Sequence, residues 1–191
     1  MMRFAVARAV SIVGHPVVVL PVAALVAASK RGASLQQLHL IGGALVTLGV
    51  VVLGFSWWQV RAGRWTHVDA SGGNERNSLN AFLGALCLVS AALLWILTRR
   101  PGMPIALTLA GALVVIALLV ASWVTVSLHA AFAAFATALV WPNKLAVVVG
   151  VVVTAALAWS RLVLGRHVAA DVAAGLLLGA AAGGGYHLWV A

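Results

Sequence analysis

A histidine and an aspartate four residues apart, His167 and Asp171, follow two arginines in the run Ser160-Arg161-Leu162-Val163-Leu164-Gly165-Arg166-His167-Val168-Ala169-Ala170-Asp171. A helix starting near His167 places both side chains on one face, one turn apart. The carboxylate then accepts a hydrogen bond from one ring nitrogen and leaves the other nitrogen unprotonated and directed outward. Beside Arg161 and Arg166, that nitrogen suits nucleophilic attack on an anionic group. Phosphate fits well, because guanidinium forks match its oxygens and neutralise charge that repels a nucleophile. A helix N-terminus at the same place adds favourable backbone dipoles. A second histidine, His129, opens another apolar segment two residues after Ser127. Its chemistry is that of an acid toward a leaving alkoxide and then a base toward water. Ser127 offers a hydroxyl or amide hydrogen to a phosphate oxygen, and Arg76 completes an anion clamp.

These groups stand in costly surroundings. The chain is 64% hydrophobic and 8% charged, with three acidic residues in all. Soluble domains run near 45–50% apolar and about 25% charged, so the composition is that of an integral membrane protein. Ionisable groups beside membrane spans count first as functional candidates. A length of 191 residues holds one compact bundle and no separate soluble domain, so residues 1–191 form a single domain. The lone cysteine, Cys87, forms no intramolecular disulfide. The net charge of +9 is spread over short loops with no Lys/Arg-rich run, which argues against nucleic acid and for anionic headgroups or an anionic substrate.

Apolar runs cover approximately 10–29, 38–60, 79–98, 103–125, 128–141, 145–160 and 170–190. About 20 residues cross a bilayer as a helix. The expected fold is therefore all-α, a polytopic bundle of six or seven transmembrane helices, with 128–141 and 145–160 short. The first run, preceded by Arg3 and Arg8 and ending Ala27-Ala28-Ser29, has the outline of a signal peptide. His15, Pro16 and Pro21 favour a first membrane segment instead. Trp57, Trp58, Trp95, Trp123, Trp141, Trp159 and Trp189 fall near the C-terminal ends of runs, as interfacial anchors do. Gly175, Gly179 and Gly183 recur every four residues and form a smooth ridge for close helix packing.

Counting crossings from loop 61–78 brings Asp69–Arg76, Ser127–His129 and Ser160–Asp171 to one side of the membrane. Lys30, Arg31, Arg99, Arg100 and Lys144 fall on the other. With the proposed site arginines and Arg166 set aside, four basic residues face five across the membrane, a margin too narrow for the positive-inside rule to orient the chain.

The same residues carry a resemblance. Ser160-Arg161, five residues, His167, three residues and Asp171 match the third signature of the type 2 phosphatidic acid phosphatase superfamily at all five fixed positions. Ser127-Leu128-His129 is similar to the second signature, Pro-Ser-Gly-His, with Val126 for the proline and Leu128 for the glycine. The first signature, a lysine, six residues and Arg-Pro, has its nearest counterpart in Asp69 through Arg76-Asn77. Arg100-Pro101 also spells Arg-Pro, but the crossing count sets it on the opposite face, and Leu93 stands at its lysine position. The signature-bearing core spans about 69–175. The resemblance implies an integral membrane lipid phosphatase without metal or other cofactor. In it, His167 forms a phosphohistidine, Asp171 orients His167, and His129 serves the leaving group. Arg76, Arg161 and Ser127 hold phosphate, with Ser160 and Arg166 in the phosphate-binding set.

The substrate is then a lipid phosphomonoester or pyrophosphate, with phosphatidate, phosphatidylglycerol phosphate and polyprenyl pyrophosphate all open. The expected setting is a bacterial-type cell membrane with the site on the non-cytoplasmic face. Expected partners are that substrate and membrane lipids, a homo-oligomer being compatible. The alternative is a small transporter or proton relay that binds cargo at the same His/Asp/Arg cluster. Inverted repeats or midplane polar groups would favour it. The chain has no evident repeat, and its polar groups cluster at span ends. His15, His39 and His187 read as structural, and His67 as a loop residue. Asp69 and Glu75 read as a solvated loop pairing with Arg64 or Arg76.

Overall fold

The computed structural model describes residues 2–68, 70, 72–98 and 101–190. Asp69, Arg99 and Arg100 therefore lie outside the described residues, and with them the lysine position of the first signature and its Arg100-Pro101 alternative. Among the described residues the chain is all α, with eight helices and no strands: α1 Met2–Val13, α2 Pro16–Lys30, α3 Leu35–Arg61, α4 Gly73–Thr98, α5 Gly102–Leu119, α6 Leu128–Leu139, α7 Lys144–Val163 and α8 Ala169–Val190.

Four of these, α3, α4, α5 and α7, are long and apolar enough to cross a membrane, and the α1–α2 pair makes a fifth if its two halves form one span. The expected six or seven is thus too many, for three physical reasons. The run at 10–29 is broken by a 48° bend between α1 and α2. Pro16 supplies no N–H to continue α1, and His15 is extended (φ −58°, ψ 141°) as the N-cap of α2. The run at 128–141 yields a helix of 12 residues, about 18 Å long against a hydrocarbon core of about 30 Å. The last helix has 22 residues but is rich in glycine and alanine and carries Asp171 and His187, and it falls short of the apolarity of the other spans.

The short helix α6 is the centre of the molecule. Ala130, Ala131, Phe132, Ala133, Phe135, Ala136 and Leu139 are all buried. It packs most extensively on α8, then on α7 and α2, and touches α5, while α3 lies at the periphery against α2 and α4. The glycine ridge of α8 makes the α6 contact possible. A methyl at Gly175 would meet the carbonyl of Ser127, one at Gly179 the carbonyl of Ala131, and one at Gly183 the side chain of Ala138. Gly179→Ala is expected to destabilise the protein by about 1–3 kcal/mol, because the obstacle is backbone and cannot rotate away. Gly184, on the same helix with open space around it, is the control. A large drop in the thermal midpoint for Gly179→Ala and little change for Gly184→Ala is the expected pattern.

Trp57, Trp58, Trp95, Trp123, Trp141 and Trp189 are exposed near helix ends, the placement of headgroup anchors. Trp65, which belongs to no apolar run, is buried edge-on against Phe55, with ring centroids 5.6 Å apart. Cys87 is a buried free thiol.

Candidate functional site

The geometry around His167 begins at the end of α7. Gly165 takes a left-handed backbone (φ +63°), where a glycine costs nothing. Around it the amide of Gly165 donates to the carbonyl of Leu162 (3.1 Å) and the amide of Arg166 to that of Arg161 (3.1 Å). This pair of bonds is a Schellman ending. It turns the chain within two residues and ties His167 to the helix end that carries Arg161. Helix α8 then starts at Ala169 with Asp171 in its first turn. The Asp171 Oδ2 atom accepts from the Val168 amide (3.3 Å) and lies 3.3 Å from His167 Nδ1. One carboxylate therefore caps the helix and orients the ring. With Nδ1–H donating to Asp171, the lone pair of His167 lies on Nε2.

The loop before α6 closes on the same place. The Ser127 amide donates to the backbone carbonyl of Asp171 (3.1 Å), which joins the start of α6 to the first turn of α8. That amide is therefore spent, and of the two hydrogens expected from Ser127 only the hydroxyl remains. Ser127 is fully buried, and its Oγ has no hydrogen-bond partner among the described residues. His129 follows in the first turn of α6. The charge of Arg161 bears on His129 and His167 alike, and the two histidines are electrostatic neighbours.

Arg76 stands in the first turns of α4, exposed, and its charge also bears on His167. Glu75 does not pair with Arg64 or Arg76 as expected. Its Oε1 accepts from the Thr66 amide (2.8 Å) and hydroxyl (3.1 Å), and its Oε2 from the Gly72 amide (3.0 Å). It pins the loop onto the start of α4 and so fixes where Arg76 emerges. Arg64 donates to Gln59 Oε1 (3.2 Å) and lies over Trp58, 4.8 Å from the ring centroid.

Two expected phosphate ligands sit differently. Ser160 is fully buried, and its hydroxyl donates back to the Leu157 carbonyl (2.8 Å). It packs the end of α7 rather than offering a hydroxyl to an anion. The Arg166 side chain is exposed, and the guanidiniums whose charge bears on His167 are those of Arg161 and Arg76. Burial lowers the pKa of His167 below the ordinary imidazole value. The hydrogen bond and charge of Asp171 oppose this, and Arg161 and Arg76 add to it. Among the described residues no three His, Cys, Asp or Glu side chains gather as metal ligands.

Two neighbours of the cluster lie outside the three signatures. The Ser11 hydroxyl of α1, largely buried, accepts from Arg161 Nη1 at 3.0 Å. His15 sets its ring edge-to-face with His129 at 5.0 Å and an interplanar angle of 87°. A structural role was expected for His15 because a lone histidine in an apolar run carries no partner in sequence. The one local signal was its place before Pro16, which marks a helix start. His187 is tied down, its Nε2 donating to the Ala138 carbonyl at 2.8 Å, and His39 and His67 are exposed. An apolar cavity of about 580 Å³ lies elsewhere between α6, α7 and α8, lined by residues such as Thr137, Trp141, Val151 and His187.

The cluster thus joins an imidazole with an oriented lone pair, a second imidazole and two guanidiniums, an arrangement able to attack and hold a tetrahedral oxyanion. No family model, curated protein or solved structure matches this chain.

Proposed function

We propose that this chain is an integral membrane phosphatase that hydrolyses a phosphomonoester or pyrophosphate on a lipid. The observation that carries the reading is the His167–Asp171 pair (3.3 Å) at a helix start, with Arg161 acting on both it and His129. His167 Nε2 attacks phosphorus and the bond to the leaving oxygen breaks. Burial and the charge of Arg161 disfavour a charged His129 in the free site, and the bound phosphate anion offsets them, so that the His129 imidazolium gives that oxygen its proton. Water then attacks the phosphohistidine, with His129 taking a proton back, and inorganic phosphate and free His167 result. Arg161 and Arg76 neutralise charge on the phosphoryl oxygens. A phosphate oxygen would also give the buried Ser127 hydroxyl a partner, relieving a cost of about 1–3 kcal/mol. The polar groups gather at helix ends rather than at mid-span, which supports hydrolysis over translocation. The resemblance favours the non-cytoplasmic face of a bacterial-type cell membrane, and a reporter fused to the C-terminus tests that orientation by reading out on the cytoplasmic side.

The substrate assay uses phosphatidate, phosphatidylglycerol phosphate and polyprenyl pyrophosphate, each with and without chelator. Release of phosphate from at least one of them, undiminished by chelator, is the expected result. Chelator inhibition reversed by zinc would overturn the metal-free mechanism.

The pH dependence follows from His167. Only the neutral ring attacks, and its pKa lies below 6.5 because burial disfavours the imidazolium. The acid limb of kcat/KM is therefore expected below pH 6.5, with activity present above it and lost as pH falls through it. A limb above 6.5 that moves down in His167-neighbour variants would contradict the assignment.

A further inference from the structure

The bend between α1 and α2 reaches the site with two side chains that neither the signatures nor the proposed roles use. Helix α1 lies along α7. The approach is close because Gly14 faces Leu157: a Cβ on Gly14 would come within 2.7 Å of the Leu157 side chain. Leu157 is fully buried one turn before Arg161. Ser11 and His15 flank Gly14, and each touches a different member of the cluster. Ser11 Oγ accepts from Arg161 Nη1 at 3.0 Å, and His15 meets His129 edge-to-face.

We infer that this elbow is part of the anion site: Ser11 positions the Arg161 guanidinium and His15 positions the His129 imidazole. The inference rests on the phosphatase reading for the roles of Arg161 and His129, but its contacts stand on their own. The two site histidines differ in how they are held. His167 has Asp171 on one nitrogen. Among the described residues the His129 ring has no hydrogen bond, and its one ring contact is His15 at 5.0 Å. An acid toward the leaving oxygen must keep one nitrogen aimed at it, so His129 needs an orienting contact, and an edge-to-face aromatic neighbour supplies one.

His15 is itself held. Its Nδ1 accepts from the Val17 amide at 3.3 Å as the N-cap of α2, and Pro16 follows with its fixed φ. The helix start therefore sets the His15 ring, and the ring sets His129. Ser11 does the same for Arg161, whose fork must face the phosphoryl oxygens rather than swing along the helix.

Two substitutions separate positioning from capping. His15→Asn keeps a side-chain acceptor for the start of α2 and removes the ring. His15→Phe keeps a ring against His129 and removes the cap. With the full chain in lipid nanodiscs and phosphatidate as probe, His15→Asn is expected to lower kcat about 10- to 100-fold, the scale of a misplaced catalytic group. Its KM should change little and its thermal midpoint stay near wild type. His15→Phe is expected to keep kcat within about threefold despite a lower midpoint. Wild-type kcat in His15→Asn, or an equal loss in both variants, overturns the role of His15. Ser11→Ala is expected to weaken binding of inorganic phosphate about tenfold by calorimetry, and unchanged affinity overturns the role of Ser11.

If the unmodified chain releases no phosphate from any lipid, the phosphatase reading fails by itself, and the ring resonances of His129 decide the positioning claim. A shift of those resonances in His15→Asn but not in His15→Phe supports it. Unshifted resonances in both overturn it.

Discussion

His167→Ala is expected to abolish phosphate release, by a factor of about 10³ or more, while the protein remains folded. Removing a nucleophile eliminates the covalent route entirely, and what survives is the contribution of the remaining electrostatic groups. Folding should hold because the Schellman ending of α7 is formed by backbone groups of Arg161, Leu162, Gly165 and Arg166, none of which the substitution touches. The Asp171 cap to the Val168 amide also remains. The check is phosphate release from lipid substrate beside the thermal midpoint. Acid-labile phosphate on the protein after rapid quenching should appear in the unmodified chain and be absent in the variant. Wild-type turnover in His167→Ala would end the phosphohistidine reading.

Asp171→Asn is expected to cost about 10²- to 10⁴-fold in kcat with little loss of stability, following the behaviour of an orienting carboxylate replaced by an amide. The physical reason lies in the charge that holds the ring. Asp171 accepts from His167 Nδ1–H and so keeps the lone pair on Nε2. An asparagine still offers a carbonyl oxygen to the Val168 amide, so the start of α8 stays capped. One oxygen position serves both Val168 and His167, so the capped asparagine still faces Nδ1–H with a carbonyl but lacks the charge that fixes the ring and stabilises the imidazolium formed on attack. The backbone carbonyl of residue 171, which holds the Ser127 amide at 3.1 Å, is unchanged. The variant should therefore keep its fold and its affinity for inorganic phosphate while losing turnover. Ring nitrogen shifts of His167 would show the weakened hold on Nδ1–H directly. Loss of fold together with activity would instead make Asp171 a structural cap.

The sequence and the structure differ most at the α1–α2 elbow and at α6. Hydropathy marks 10–29 as one apolar run, because it averages over residues and does not register a missing N–H at Pro16. The consequence is more than a miscounted span. The break gives His15 an N-cap geometry and turns its ring toward His129. Hydropathy likewise marks 128–141 as a short span, whereas α6 is the most enclosed helix, held by the glycine ridge of α8 and by α2 and α7. Alanine and phenylalanine suit lipid and protein interior equally, so apolarity alone does not separate an exposed span from a central one.

The His167–Asp171 pair was legible because it is local. Four residues along a helix start bring two side chains together whatever else the chain does, and Gly165 just before marks the turn that delivers them. The crossing count that grouped Ser127, His129 and Arg76 assumed a membrane span at 128–141, which the 12-residue α6 is too short to make, so their approach to His167 comes from helix packing. Tertiary packing decided the rest. It spent the Ser127 amide on Asp171, turned the Ser160 hydroxyl back into its own helix, and left Arg166 exposed. It also brought Ser11 and His15 to Arg161 and His129, partners 150 and 114 positions away in the chain. The amino-acid sequence determines by itself what local backbone geometry and helical period impose. Contacts between distant segments depend on which helix faces can approach, and in this chain the glycines of α8 and Gly14 of the elbow set that approach.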